Sequence, residues 1–101
     1  MEQIILNLIM NSGDARSYAM EAIQSAKDGD FNTAEDLMKK CNEQLDHAHY
    51  AQTSLIQSEA SGNKTEFSLL LVHAQDHLMT TLTLKDLALE IIDIHKRIDA
   101  K

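Results

Sequence analysis

The chain reads as all-α, a three-helix antiparallel bundle in a single domain over residues 1–101, and three observations say so. It contains no proline and only three glycines, Gly13, Gly29 and Gly62, whereas an all-β chain of this length needs many turns built from those residues. Aromatic residues are limited to Tyr18, Phe31, Tyr50 and Phe67. Leu, Ile, Met and Ala must therefore fill the core, which suits helix-on-helix packing. Finally, apolar residues recur at i, i+3 and i+4 over long stretches, the period of a helix with one buried stripe.

The first helix is expected from about Glu2 to Asp28, carried by Ile5, Leu8, Ile9, Ala15, Ala19, Ala22, Ile23 and Ala26. Asn11-Ser12-Gly13-Asp14 interrupts the pattern and has two readings. It is either a loop that separates a short N-terminal turn from the helix proper, or a small-residue patch where another helix comes close. Lys27-Asp28-Gly29-Asp30 is a stop signal, a last-turn cation followed by glycine where a left-handed cap is wanted.

Asp30 or Asn32 can cap the second helix, with Glu35 three residues after Asn32 in the manner of a capping box. Its apolar face is Phe31, Ala34, Leu37, Met38, Cys41, Leu45, Ala48, Leu55 and Ile56, with Gln52 in the same phase. It ends near Ala60-Ser61-Gly62. Asn63 with Glu66 repeats the cap signature and is expected to open a third helix that lasts to about Ile98. Helices of up to about 35 residues span about 50 Å, and such short links make sequential helices antiparallel neighbours.

The third helix has more apolar surface than a lone three-helix bundle can cover. Leu70, Leu84, Ile91 and Ile98 share one heptad phase with His77; Leu87 and Ile94 share a second with His73 and Thr80; Leu71, Leu78 and Ile92 supply a third. A helix apolar on most sides is buried on most sides, so the pattern predicts a homo-oligomer with the third helices inside.

The net charge of −7 argues against a nucleic-acid binder, since such domains are basic, and favours encounter with cationic partners. The lone cysteine, Cys41, falls in the apolar phase and reads as a small core residue. No run approaches the roughly 18 apolar residues of a membrane span, and no signal-peptide pattern opens the chain. A soluble, cytoplasmic protein is expected.

Of the five histidines, His47 and His95 flank charged residues and read as surface side chains. His49 follows apolar Ala48 and is either a surface residue or the lining of a cleft. His73, Asp76 and His77 lie at helical spacing within the apolar segment Leu69–Thr80, so they cluster on one helix. Four readings are open for them. They could be interface groups that fix register, or a zinc site, although the metalloprotease pattern wants Glu where Ala74 stands. A third is acid–base catalysis, for which no nucleophile motif or phosphate-binding loop is present. The fourth is a phosphoryl relay, since imidazole is both a good nucleophile near neutral pH and a good leaving group once phosphorylated.

The segment His-Ala-Gln-Asp-His-Leu-Met-Thr at 73–80 resembles the active-site motif of the enzyme IIA component of the lactose/cellobiose (N,N'-diacetylchitobiose) family of the bacterial sugar phosphotransferase system. Four further matches follow in order. Asn11-Ser12-Gly13 with Ala15-Arg16-Ser17 resembles the family's first-helix motif, and Gly29-Asp30-Phe31 with Ala34 its first turn. Ala48-His49 with Gln52-Thr53, and then Leu55-Ile56, resemble its second helix. The resemblance covers nearly the whole chain.

It implies a homotrimer, nine helices in all, that accepts a phosphoryl group from HPr and passes it to a cysteine of the matching IIB component, during uptake of a disaccharide of cellobiose, chitobiose or lactose type. By motif the acceptor is His73, phosphorylated on Nε2. Asp76 becomes the ligand, one per subunit on the threefold axis, of a structural divalent metal. Gln75 and His77 become supporting residues around the phosphoryl group or across the subunit interface, with Met79 and Val72 in an apolar contact ring. Three carboxylates at an axis repel by about 4 kcal/mol per pair at ~4 Å and an effective dielectric of ~20, and a hard cation such as Mg2+ suits their oxygens. No nucleic acid and no membrane insertion are implied. The alternative is a histidine phosphotransfer domain of two-component signalling, which usually carries a lysine near its acceptor; none lies within eleven residues after His73.

Overall fold

The computed structural model describes residues 2–64 and 66–101. Three helices run through them: α1 (Glu2–Lys27), α2 (Phe31–Ala60) and α3 (Leu69–Asp99). They form an up-down-up rod of 57 × 20 × 17 Å, and no strand occurs among the described residues.

The core follows from heptad spacing. α1 contributes Ile5, Leu8, Ala15, Ala19, Ala22 and Ala26; α2 contributes Ala34, Met38, Cys41, Leu45, Ala48 and Leu55; α3 contributes Leu71, Ala74, Leu78, Ala88 and Ile92. The alanine seam of α1 has little side-chain volume, so its backbone can approach its neighbours closely. Cys41 is fully buried, as the sequence implies.

Helix ends obey local chemistry. At the close of α1 the Asp30 N–H donates to the Ser25 carbonyl (2.9 Å) and the Gly29 N–H to that of Ala26 (3.0 Å). At the close of α2, Asn63 donates to Ser58 and Gly62 to Glu59, each at 3.1 Å. Both are Schellman closures, and both need a left-handed residue: Gly29 has φ +81° and Gly62 φ +95°. Asp30 rather than Asn32 caps α2. One of its carboxylate oxygens accepts the Thr33 N–H (3.1 Å) and the other the Thr33 hydroxyl (2.7 Å).

Two expectations change. The Asn63–Glu66 signature does not open α3; the described residues from Asn63 to Ser68 are not helical. Ser68 is the cap, extended at φ −139°, its side chain accepting the Leu71 N–H at 3.1 Å. A side-chain oxygen directly before the apolar run outweighed a better-looking motif five residues earlier. At Asn11–Asp14 the loop reading fails, because α1 passes through without a break. Ser12 is buried, and its carbonyl accepts from the Thr81 hydroxyl of α3 at 3.5 Å. The small residues are there because α3 comes close.

The apolar excess of α3 is real. Leu69, Leu70, Val72, Met79, Leu87, Leu89, Ile94 and Ile98 are all exposed, while Leu71, Leu78 and Ile92 face the core. Among the described residues no helix is long and apolar enough to cross a membrane.

Candidate functional site

His73 sits in the second turn of α3, shortly after the Ser68 cap, and is exposed. One turn later His77 lies beneath it: the two ring centroids are 5.9 Å apart and the planes within 10° of parallel. An i, i+4 pair on a helix is placed for such contact. His77 is held in turn by α1. A Cβ built on Gly13 would lie 3.4 Å from its Nε2, so at this point α1 runs past the ring with space for little more than a methyl group between them.

Burial lowers the His77 pKa from its ordinary 6.5, and the nearby charges of His73 and Arg16 lower it further. All three causes favour the neutral imidazole. The site thus offers one accessible imidazole stacked on a second, partly buried one that resists protonation.

Gln75 and Asp76 go elsewhere. At about 100° per residue Gln75 lies some 200° around the helix from His73. Its side-chain oxygen accepts from Gln52 Nε2 of α2 at 2.7 Å. Within one subunit it therefore ties α2 to α3 rather than flanking His73, which leaves the expected contact with the phosphoryl group without geometric support. Asp76 is exposed, and so are Leu69, Val72 and Met79 around it. Among the described residues no three His, Cys, Asp or Glu side chains converge to hold a metal ion. One subunit brings a single carboxylate here, and a metal centre would need further copies.

Of the other histidines, His47 and His49 are both exposed, as expected of His47, which also borders an open groove between α1 and α2 with Asn7, Asn11 and Tyr50. A shallow depression beside Leu69 and Leu70 opens onto His73. Gly13, Arg16 and Gln52 belong to the neighbourhood of the motif; the residues alone offered Gly13 only as part of a close-approach patch and gave Arg16 and Gln52 no role at the site. A glycine inside a helical pattern signals close approach; nothing in the sequence pairs Gln52 with Gln75.

The sequence model of the family described as "PTS system, Lactose/Cellobiose specific IIA subunit" matches residues 3–96. The chain is 53% identical over 98 residues to the lichenan-specific phosphotransferase enzyme IIA component of Bacillus subtilis (strain 168), covering 97% of this chain and 89% of that protein. The crystal structure of the PTS cellobiose-specific enzyme IIA from Bacillus anthracis superposes with a TM-score of 0.97 at 57% identity, over 99% of this chain and 92% of that one. The IIA(Chitobiose) of Escherichia coli, solved in solution in complex with HPr, superposes with a TM-score of 0.85 at 43% identity, over 97% and 95%. By sequence along almost its full length and by fold, the chain belongs to the lactose/cellobiose-specific IIA subunits of the phosphotransferase system.

Proposed function

We propose that His73 is the phosphoryl acceptor of this phosphotransferase component, taking the group from HPr and handing it to a cysteine of a IIB partner during disaccharide uptake on the cytoplasmic side of the membrane. The observation that carries the proposal is the exposed His73 ring lying on half-buried His77, in a fold that superposes on a IIA protein solved with HPr. Membership of this family sets the two-component alternative aside.

The chemistry needs little more than that ring. With the proton on Nδ1, the Nε2 lone pair attacks phosphorus and a new N–P bond forms. The donor's N–P bond breaks, its electron pair returning to a donor ring protonated at the other nitrogen, which leaves as neutral imidazole. In the next step the cysteine thiolate attacks phosphorus, and His73 is the leaving group. A carrier of this kind has no sugar pocket. It presents a reachable imidazole beside exposed Leu69, Leu70 and Val72, and such surfaces suit brief, small interfaces.

Homotrimerisation through α3 is part of the same proposal, supported by the exposed apolar stripe. Asp76 stands within that stripe and would supply one oxygen ligand per subunit to a divalent cation such as Mg2+, whose contribution is to neutralise carboxylates that burial brings together. In this reading Gln75 supports the site indirectly, through Gln52, and His77 directly, through the stack.

The test is incubation with phosphoenolpyruvate, enzyme I and HPr. One acid-labile phosphoryl group per chain is expected, and none on a folded His73→Ala variant. Label that resides on His77 or His49 overturns the assignment.

A further inference from the structure

We infer that Arg16 is the cation that receives the phosphoryl group once it is on His73, a binding role in the carrier that rests on the reading of His73 as acceptor. Phosphorylation places about two negative charges on the exposed ring near pH 7. The chain is already at −7, and Asp76 stands three residues along the same helix. A dianion here needs a positive partner.

The supply is narrow. In α1 from Glu2 to Ala26, α2 from Cys41 to Ala60 and α3 from Leu69 to Leu84, Arg16 is the only arginine or lysine. Those spans include the parts of the three helices at the His73 end of the rod. Among the described residues the other lysine or arginine at this end is Lys64, in the α2–α3 connection, and the cation proposed at Asp76 would be taken up by carboxylates.

Position agrees with chemistry. Arg16 is three residues beyond Gly13, on the same face of α1, and Gly13 is the position from which a Cβ would reach within 3.4 Å of His77 Nε2. Helical side chains lean toward their own N-terminus, which inclines Arg16 toward the turn of α1 that holds Gly13. Its charge is felt at His77, and His77 lies against His73. Arg16 is exposed, and among the described residues no salt bridge engages it, whereas Arg97 is paired with Asp93 and Lys96 with Glu35. A free guanidinium can take two phosphoryl oxygens at once, which a lysine cannot do.

The experiment measures how phosphoryl groups distribute at equilibrium between HPr and this protein, for wild type, Arg16→Gln, Arg16→Lys, Lys64→Gln and Arg97→Gln, each checked for helicity and assembly. Arg16→Gln should shift the distribution toward phospho-HPr by about tenfold, with Arg16→Lys in between. Lys64→Gln and Arg97→Gln should move it less than twofold. A distribution unchanged in Arg16→Gln overturns the inference. So does an equal shift in Lys64→Gln, which would mean a diffuse field, or an effect confined to the rate of encounter with HPr, which would mean a docking contact. If Arg16→Gln does not fold, Arg16→Lys decides by the same measure. Failure of wild type to label at His73 would instead refute the acceptor assignment, so the two failures are distinguishable.

Discussion

The imidazole of His77 lies 5.9 Å from that of His73, nearly parallel to it, and its Nε2 faces Gly13 of α1, where a Cβ would come within 3.4 Å. The exposed ring is thereby stacked on a ring that is itself partly buried. Three elements of sequence set the arrangement: the i, i+4 spacing on α3, the glycine on α1 and the Ser12–Thr81 contact that holds the two helices in register.

If the stack orients the acceptor, its aromatic character is what counts. His77→Phe keeps a flat ring and should retain phosphorylation within a few-fold of wild type, while His77→Ala frees His73 to rotate. Loss of positioning should slow transfer by about 10- to 100-fold, the scale associated with small misplacements of reacting groups, with little change in melting temperature. Single-turnover transfer from phospho-HPr measures it. A slow Phe variant alongside a normal Gln variant would indicate hydrogen bonding by His77 instead of stacking.

Gly13 separates space from conformation. A Cβ there would meet His77 Nε2 at 3.4 Å, an ordinary contact, and alanine favours helix over glycine by about 0.5–1 kcal/mol. Gly13→Ala should therefore be as stable as wild type or slightly more so, with phosphorylation intact. Gly13→Val adds two methyl groups toward the ring and should displace His77, slowing transfer much as His77→Ala does. Thermal melts beside the transfer assay decide both.

Much of the fold was legible because it rests on period and punctuation. Ala15, Ala19, Ala22 and Ala26 announce a seam, and Gly29 and Gly62 close helices where a left-handed residue is required. Asn11–Asp14 stayed ambiguous because a small-residue stretch reads alike for a loop and for a helix crossing; only the presence of α3 decides. Ser68 was missed because Asn63 and Glu66 have the better spacing, yet the cap that forms is the one adjoining Leu69. At the site, sequence adjacency grouped Gln75 with His73, whereas helical phase turns it to Gln52 on α2. His47 is exposed as expected, yet it rather than His49 borders the groove, a matter of how α2 is rotated against α1.

The His77 environment predicts a pH dependence. Burial, His73 and Arg16 all lower its pKa in the folded chain, so below the ordinary value of 6.5 the unfolded chain binds more protons than the folded one. The contribution of His77 to stability is then fully retained above about pH 6.5 and declines as pH falls through that value toward the folded pKa. In the stacked His77→Phe variant this part of the decline is absent. Melting temperatures between pH 8 and pH 5 should show a shallower slope for that variant than for wild type, and equal slopes would contradict the assignment.

Asp76 offers the sharpest test of the assembly. It is an exposed carboxylate amid exposed Leu69, Val72 and Met79, a combination that is stable in solvent but costly once the stripe is covered by copies of itself. Like charges brought to about 4 Å oppose assembly by several kcal/mol unless a cation or protons neutralise them. Wild type should therefore lose trimer on addition of a chelator at neutral pH and regain it with excess Mg2+. Asp76→Asn removes the repulsion and the ligand together, so this variant should remain a trimer whether or not chelator is present. Light scattering on both proteins, with and without chelator, reads the outcome directly. A monomeric Asp76→Asn variant would show that the carboxylate acts through some contact other than shared coordination.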